Sequence, residues 1–339
     1  MNPTLAAAGA AQGRADRDGS APTPVTTTGP LFIVFNLGSG SGDEARARAA
    51  IQQACDGVGR AFELMGVDDP RQLPALARQA VQRAQQAHGV VVAAGGDGTL
   101  NAVAQAVLGS GCAFGVLPQG TFNYFSRTHG IPSDTAEAMQ VLLKASAKPA
   151  QVGLVNGRVF LVNASLGLYP KLLEDREGWK QQFGRSRLVA FGAGLATLLR
   201  GYRSLRLRIE VQGTVRKVRT PTLFVGNNAL QMEQLGFPLA KDIDGGALAA
   251  IMLRPVSRLA MLALLLRGAF GKLGEAGQVI SIPCVRMNVH SARAFGARRV
   301  KVATDGEIVW LPMPLEFEVA PEPLWLIRPD TPAPERAAP

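Results

Sequence analysis

Two glycine turns at successive strand ends carry the strongest chemical signal in this sequence. The first, GGDGT at residues 95–99, follows a valine-rich run at 90–94 and precedes a segment with Leu100, Val103, Ala104 and Val107 on one helical face. Glycine lets a backbone approach phosphate closely, and a following helix start adds unpaired N–H groups and a positive dipole end. Gly95, Gly96, Asp97, Gly98 and Thr99 are therefore candidate phosphate-site residues, and the Asp97 carboxylate is placed to meet Mg²⁺ or a donor hydroxyl. The second turn, PQGTFN at 118–123, closes the apolar run 113–117 and presents Gly120, Thr121 and Asn123. Open α/β sheets bind ligands at the carboxyl ends of their strands, so the two turns together are more specific than either alone.

The elements that must position these turns alternate strand and helix from about residue 31 to 150, which predicts a parallel sheet covered by helices. The run 31–35 ends in Asn36 and a Gly/Ser turn. Ala47, Ala50, Ile51 and Ala54 repeat at helical spacing, as do Ala77, Ala80, Val81 and Ala84 behind Pro74. After about residue 150 the pattern changes to short strands. Leu205, Leu207, Ile209 and Val211 alternate with Arg206, Arg208 and Glu210, and further runs at 222–225, 247–253, 279–284, 300–304 and 315–319 predict a mainly antiparallel second domain. Apolar helical insertions at 188–202 and 257–273 interrupt it. The expected division is a disordered tail at 1–28, an α/β domain at 29–150, a β-rich domain at 151–329 and a second disordered tail at 330–339.

Composition narrows the class. A chain of 339 residues with 47% hydrophobic and 18% charged content has the balance of a folded globular protein of about two domains. The first 28 residues, rich in Ala, Gly, Pro, Thr and Ser, lack the basic start and apolar core of a secretory signal, so a cytoplasmic location is expected. Cys55, Cys112 and Cys284 are widely spaced and odd in number, which favours core positions over a disulfide framework or a metal site. His88, His129 and His290 show no paired spacing. The longest apolar runs fall short of the ~20 residues that cross a bilayer. The net charge of +10 is concentrated at 171–220, where 12 basic residues face four acidic ones. Such a stretch reads either as a solvated surface or as a face for anionic headgroups, and no nucleic-acid module accompanies it.

The motifs resemble the diacylglycerol kinase catalytic domain family of bacterial soluble lipid kinases, related to sphingosine kinases. The resemblance rests on a first strand ending in Asn36 with a Gly/Ser turn, on GGDGTLN with Asn101, and on P-x-G-T-x-N followed by FSR at 125–127. NASLG at 163–167, VGNN at 225–228, PLA at 238–240 and DGE at 305–307 then recur in the family's order, so it covers roughly residues 31–329. It implies an α/β nucleotide-binding domain of the NAD kinase/diacylglycerol kinase type and a β-sandwich second domain. ATP would lie in the cleft between them, and a lipid hydroxyl such as that of diacylglycerol, phosphatidylglycerol or a sphingoid base would be phosphorylated, a reaction of phospholipid metabolism. Asn36, Gly38, Ser39, Gly40 and Asn101 would join the two glycine turns in holding ATP. Glu307, or its neighbour Asp305, would be the base that an alcohol attacking a γ-phosphoryl group needs. Without the resemblance, Asp305 and Gly306 read more readily as a hairpin turn between two strands. Asp97, Asp244 and Asp242 would be Mg²⁺ ligands. Expected partners are the lipid substrate and, transiently, a peripheral membrane surface reached through residues 171–220. Nucleic acid is not expected, and a homodimer is left open.

The sequence departs from the family pattern at three places. Tyr124 stands where an Asp commonly follows the Asn of P-x-G-T-x-N. The segment from Asp242 reads DIDGGAL, with Gly245 where a carboxylate is usual. No hydroxyl residue occurs at 62–70. Two alternatives follow: an NAD kinase-like small-molecule kinase, which shares the G-G-D-G turn, and a catalytically weakened lipid-binding regulatory protein.

Overall fold

The computed structural model describes residues 25–36, 44–120, 122–168, 170, 204–237, 239–257, 260, 277–292 and 298–330. Gly38, Ser39, Gly40 and Thr121 lie outside the described residues, as do the insertion at 188–202, nearly all of that at 257–273, and most of both expected tails.

Strand β1 (Leu31–Asn36) is buried at its first five positions, and β3 (Val90–Gly95) and β4 (Ala113–Pro118) at all six. Continuous apolar strands of this kind need cover on both faces, the signature of a parallel sheet between helices. β1 pairs in parallel with β2 (Phe62–Val67) on one side and β3 on the other, and β3 pairs in parallel with β4. The cover comes from α1 (Glu44–Asp56) packed with α5 (Thr135–Lys144), and α2 (Leu73–Ala87) packed with α3 (Asp97–Val107). Each helix buries the stripe its spacing predicts: Ala77, Ala80, Val81 and Ala84 in α2, and Leu100, Val103, Ala104 and Val107 in α3.

The last described strand crosses the expected domain boundary. β18 (Leu324–Ile327) returns to the first sheet, parallel to β4 and antiparallel to β5 (Ala147–Ala150), giving the order β2-β1-β3-β4-β18-β5. The run 324–327 is therefore core of the first domain, with Leu324, Leu326 and Ile327 at most 1% exposed. Its pairing partners lie about 175 to 210 residues away, a separation that no local pattern reveals. Arg328, just beyond it, sets Nη1 3.2 Å from Nδ1 of His129, and the His129 ring meets Phe125 edge-on. Burial, and then the Arg328 charge, press the His129 pKa down to about 3, so it stays neutral and structural.

The second domain is a sandwich of two antiparallel sheets. One has the order β10 (Thr214–Thr220), β9 (Leu205–Val211), β14 (Arg286–Ser291), β17 (Leu315–Val319), β6 (Gly153–Val155), β7 (Arg158–Phe160). The other runs β13 (Val279–Cys284), β12 (Leu248–Leu253), β11 (Thr222–Gly226), β8 (Asn163–Gly167), β15 (Arg299–Thr304), β16 (Glu307–Pro312). Leu207, Ile209, Met287 and Phe317 of the first sheet meet Leu166, Leu223, Val225 and Val302 of the second in one core. Two short helices, α6 (Ala229–Gln234) and α7 (Ala240–Asp244), bury Met232 and Ile243 against Ala249 and Ile251 on the far side of the second sheet. The three cysteines are buried and free, as expected of core positions.

Three hairpins of the sandwich turn on pairs whose φ values are both positive: Asn156-Gly157, Gln212-Gly213 and Asp305-Gly306. This is the backbone that matches the right-handed twist of paired strands. The hairpin reading of Asp305 is thus realised between β15 and β16.

Candidate active site

The two glycine turns abut. A Cβ built on Gly120 would lie 3.0 Å from the Gly96 Cα, and Gln119 N donates to Gly95 O at 2.9 Å. Helix α3 begins at Gly96, whose extended backbone makes no side-chain cap, so its first-turn amides carry no capping side chain. Asn36 Nδ2 donates to Thr99 Oγ1 at 2.8 Å, and a Cβ on Gly95 would collide with the Thr99 side chain. Asn123 sits at φ 47°, closing its turn with Oδ1 accepting from Gly120 N and Nδ2 donating to Gly120 O.

Several residues expected to touch a ligand instead shape the site. Thr99 and Asn123 are buried; Thr99 accepts from Asn36 at the end of β1, and the Asn123 side chain is engaged within its own turn. Asn101 is 7% exposed, and its amide donates to Val159 O at 2.9 Å and to Asp305 Oδ2 at 2.7 Å. Its side chain ties α3 to the second domain.

Asp305 is fully engaged. Oδ1 accepts from Val162 N and Asn163 N, each at 2.9 Å, and Oδ2 accepts from Leu161 N and Asn101 Nδ2, each at 2.7 Å. Burial pushes its pKa up while these four donors pull it down. Both oxygens of Asp305, an expected alternative base, are thus committed to hydrogen bonds. Its hydrogen bonds fix the segment 161–163 between the domains and anchor the hairpin that carries Glu307.

Glu307 faces the first turn from the opposite domain. A Cβ on Gly98 would lie 2.8 Å from Glu307 Oε1, so glycine leaves room for this approach and a larger residue would make the carboxylate shift. The side chain is 60% exposed, yet its carboxylate is raised in pKa, first by desolvation and further by Asp305, against the opposing charge of Arg158. Arg158 Nη2 stands 3.7 Å from Glu307 Oε2. Sequence reasoning passed over Arg158, although the Asn156-Gly157 hairpin before it was a legible signal.

Asp97 lies between these groups. Its Oδ1 is buried without a hydrogen-bond partner, and its pKa is pushed up to about 6 by burial first and by Asp305 second, offset by a bond from the Asn123 backbone N–H. A buried, unsatisfied carboxylate oxygen is unfavourable unless a cation or donor meets it. Asp242 and Asp244, on α7, are half-buried and exposed respectively. Among the described residues no group of three His, Cys, Asp or Glu side chains comes together, so these two do not join Asp97 in a metal cluster.

The second domain also reaches the PQGTFN turn. Asn228 caps α6 through Gln231 N, accepts from Thr128 Oγ1 at 3.0 Å, and donates to Tyr124 O at 3.4 Å. Thr128 and Tyr124 belong to α4 (Tyr124–Thr128), so Asn228 clips the two domains together. Tyr124 stacks on the exposed Phe122, with centroids 6.0 Å apart and rings 4° from parallel.

Comparison with known proteins agrees with this architecture. Residues 30–155 match the diacylglycerol kinase catalytic domain, and residues 180–328 match the YegS C-terminal NAD kinase beta sandwich-like domain. The protein of Pseudomonas aeruginosa named "Probable lipid kinase YegS-like" is 39% identical over 120 residues, 34% of this chain and 39% of that protein. A diacylglycerol kinase of Staphylococcus aureus is 30% identical over 166 residues, 46% of this chain and 50% of that protein. The chain thus spans half or less of the length of these curated relatives. The solved structure of a diacylglycerol kinase from Bacillus anthracis shares the fold, with a TM-score of 0.64 at 19% identity over 89% of this chain and 97% of that one. No described helix is long and apolar enough to cross a membrane. The chain thus carries, in order, a diacylglycerol kinase catalytic domain and a YegS C-terminal NAD kinase beta sandwich-like domain.

Proposed function

We propose that this protein is a kinase that transfers the γ-phosphoryl group of ATP to the hydroxyl of a lipid. The observation that carries the reading is the approach of Glu307 to Gly98: a carboxylate of raised proton affinity held over a glycine turn at a helix N-terminus. The turn suits phosphate oxygens, because its amides and helix dipole favour negative charge. Glu307 suits an incoming alcohol, which is too weakly acidic to lose its proton in advance and needs a base as the new P–O bond forms. The acceptor oxygen attacks the γ-phosphorus, its proton passes to Glu307, and the bond to the bridging oxygen breaks to release ADP. Asp305 keeps Glu307 in register with the turn through its bonds to segment 161–163 and Asn101.

Mg²⁺ fits at Asp97, whose buried Oδ1 has no partner. Bound there, it would neutralise charge on the transferred phosphoryl group. One protein carboxylate with nucleotide phosphates and water as the other ligands is a usual environment for this ion.

The test is incubation of the pure protein with γ-labelled ATP and a panel containing diacylglycerol, phosphatidylglycerol, a sphingoid base and NAD, with products identified by mass spectrometry. Label in one lipid supports the proposal and names the acceptor. Label in NAD alone, or in none of the panel, rejects it.

A further inference from the structure

The outer face of the sandwich at its β9–β10 end carries charge that folding does not explain. Along β9, Leu207 and Ile209 turn into the core, which leaves Arg206 and Arg208 exposed on the opposite face. The register sets Arg219 directly opposite Arg206 and Lys217 directly opposite Arg208, and both β10 residues are exposed. His290 of β14 lies beside Arg208 on the other side. Like charges placed directly across an antiparallel pair destabilise a sheet.

Cations on β10 alone could guard an edge strand against pairing with another chain, since β10 ends its sheet. That account fails for Arg206 and Arg208, because β9 is paired on both sides. Among the described residues none of these four cations forms an ion pair. The other end of the face differs: Arg286 is bound to Glu316 at 3.1 Å and to Glu318 at 2.7 Å. One half of the face is neutralised internally; the other half carries four cations against one carboxylate, Glu210, which lies opposite Val215 and Asn288.

We propose that Arg206, Arg208, Lys217 and Arg219 dock the protein on an anionic lipid bilayer. The inference rests on the reading of a lipid acceptor, which must be reached at a membrane surface. Four exposed cations on a sheet suit a surface that offers many phosphates in no fixed arrangement, and Val215, 52% exposed on β10, adds an apolar contact. The strand sequences LRLRIEV and TVRKVRT hold no aromatic side chain on which a base of single-stranded nucleic acid could stack.

The experiment is sedimentation of the full chain with vesicles of phosphatidylcholine, with and without phosphatidylserine, which offers negative charge but no hydroxyl acceptor of the proposed kind. A Lys or Arg near an anionic surface contributes about 1 kcal/mol, or roughly fivefold in affinity. Arg208→Gln with Lys217→Gln should weaken binding to the anionic vesicles by roughly 25-fold, and added salt should weaken wild type more than the variant. Arg286→Gln, at the neutralised end, should change binding little. Unaltered vesicle binding by the double variant, with its circular dichroism spectrum intact, overturns the proposal; so does tighter binding to a single-stranded oligonucleotide than to the anionic vesicles. The kinase reading is checked apart from this, with a short-chain acceptor dispersed in detergent: the double variant should retain its turnover there. Absence of product from wild type in that assay would count against the kinase reading while leaving the vesicle result to stand or fall alone.

Discussion

Asn101 and Asp305, 204 residues apart in the chain, are joined by a 2.7 Å hydrogen bond from the Asn101 amide to the Asp305 carboxylate. Asn101 lies on the helix that starts at the phosphate-type turn, and Asp305 begins the hairpin that carries Glu307. This bond and the three backbone N–H groups on the same carboxylate set the distance between the turn and the proposed base. Stability and chemistry should therefore separate cleanly among neighbouring residues.

Asp305→Ala removes the acceptor of three backbone donors and one amide, leaving buried N–H groups unpaired. It should cost about 2–5 kcal/mol of stability and also lower turnover. Denaturant unfolding together with a kinase assay checks both effects; a loss of turnover at unchanged stability would return Asp305 to the role of a base.

Glu307→Gln keeps the shape and removes the charge of an exposed side chain. Turnover should fall about 10²–10⁴-fold, with stability and ATP affinity nearly unchanged. Loss of ATP binding, with normal turnover restored at saturating nucleotide, would instead assign Glu307 to the nucleotide site.

Gly98→Ala tests the approach itself. Alanine is favoured over glycine within a helix by up to about 1 kcal/mol, so the variant should be no less stable than wild type. Its new methyl group occupies the space beside Glu307 Oε1, and turnover should fall as the carboxylate is displaced. Thermal unfolding and steady-state kinetics, read side by side, should move in opposite directions.

The pH dependence of Asp97 follows from its environment. Its folded-state pKa of about 6 lies above its ordinary value of 3.8, so the native protein holds the proton more tightly than the unfolded chain. The stability linked to that proton is complete below about pH 4 and is lost as pH rises through about 6. Asp97→Asn should accordingly be more stable than wild type at pH 8, by about 1–3 kcal/mol, and should lose that advantage at pH 4. The same variant should abolish phosphoryl transfer. Equal stability of the two proteins at both pH values would show that Asp97 is not held as an uncompensated buried carboxylate.

Much of this molecule was legible one segment at a time. Apolar runs ending in glycine marked β1, β3 and β4, and the spacing of Ala77, Ala80, Val81 and Ala84 marked α2, because strand and helix periodicity are local properties. The strands β10 and β14 escaped notice: TVRKVRT and RMNVHS alternate too few apolar residues, and their place is set by pairing with β9. GGDGT and PQGTFN named the turns. What they could not show is which of their side chains face a ligand, since Thr99 and Asn101 acquire hydrogen-bond partners only when the elements pack.

By itself, then, the sequence determined most of the elements, the two-domain order and the residue types at the site. Tertiary structure alone decided three matters: the return of β18 to the first sheet, the hydrogen bonding of both Asp305 oxygens, and the approach of Glu307 to Gly98. Each depends on contacts between residues about 140 to 210 positions apart in the chain. Such contacts are fixed by burial and hydrogen-bond satisfaction across the whole molecule, and neither leaves a mark in a local pattern.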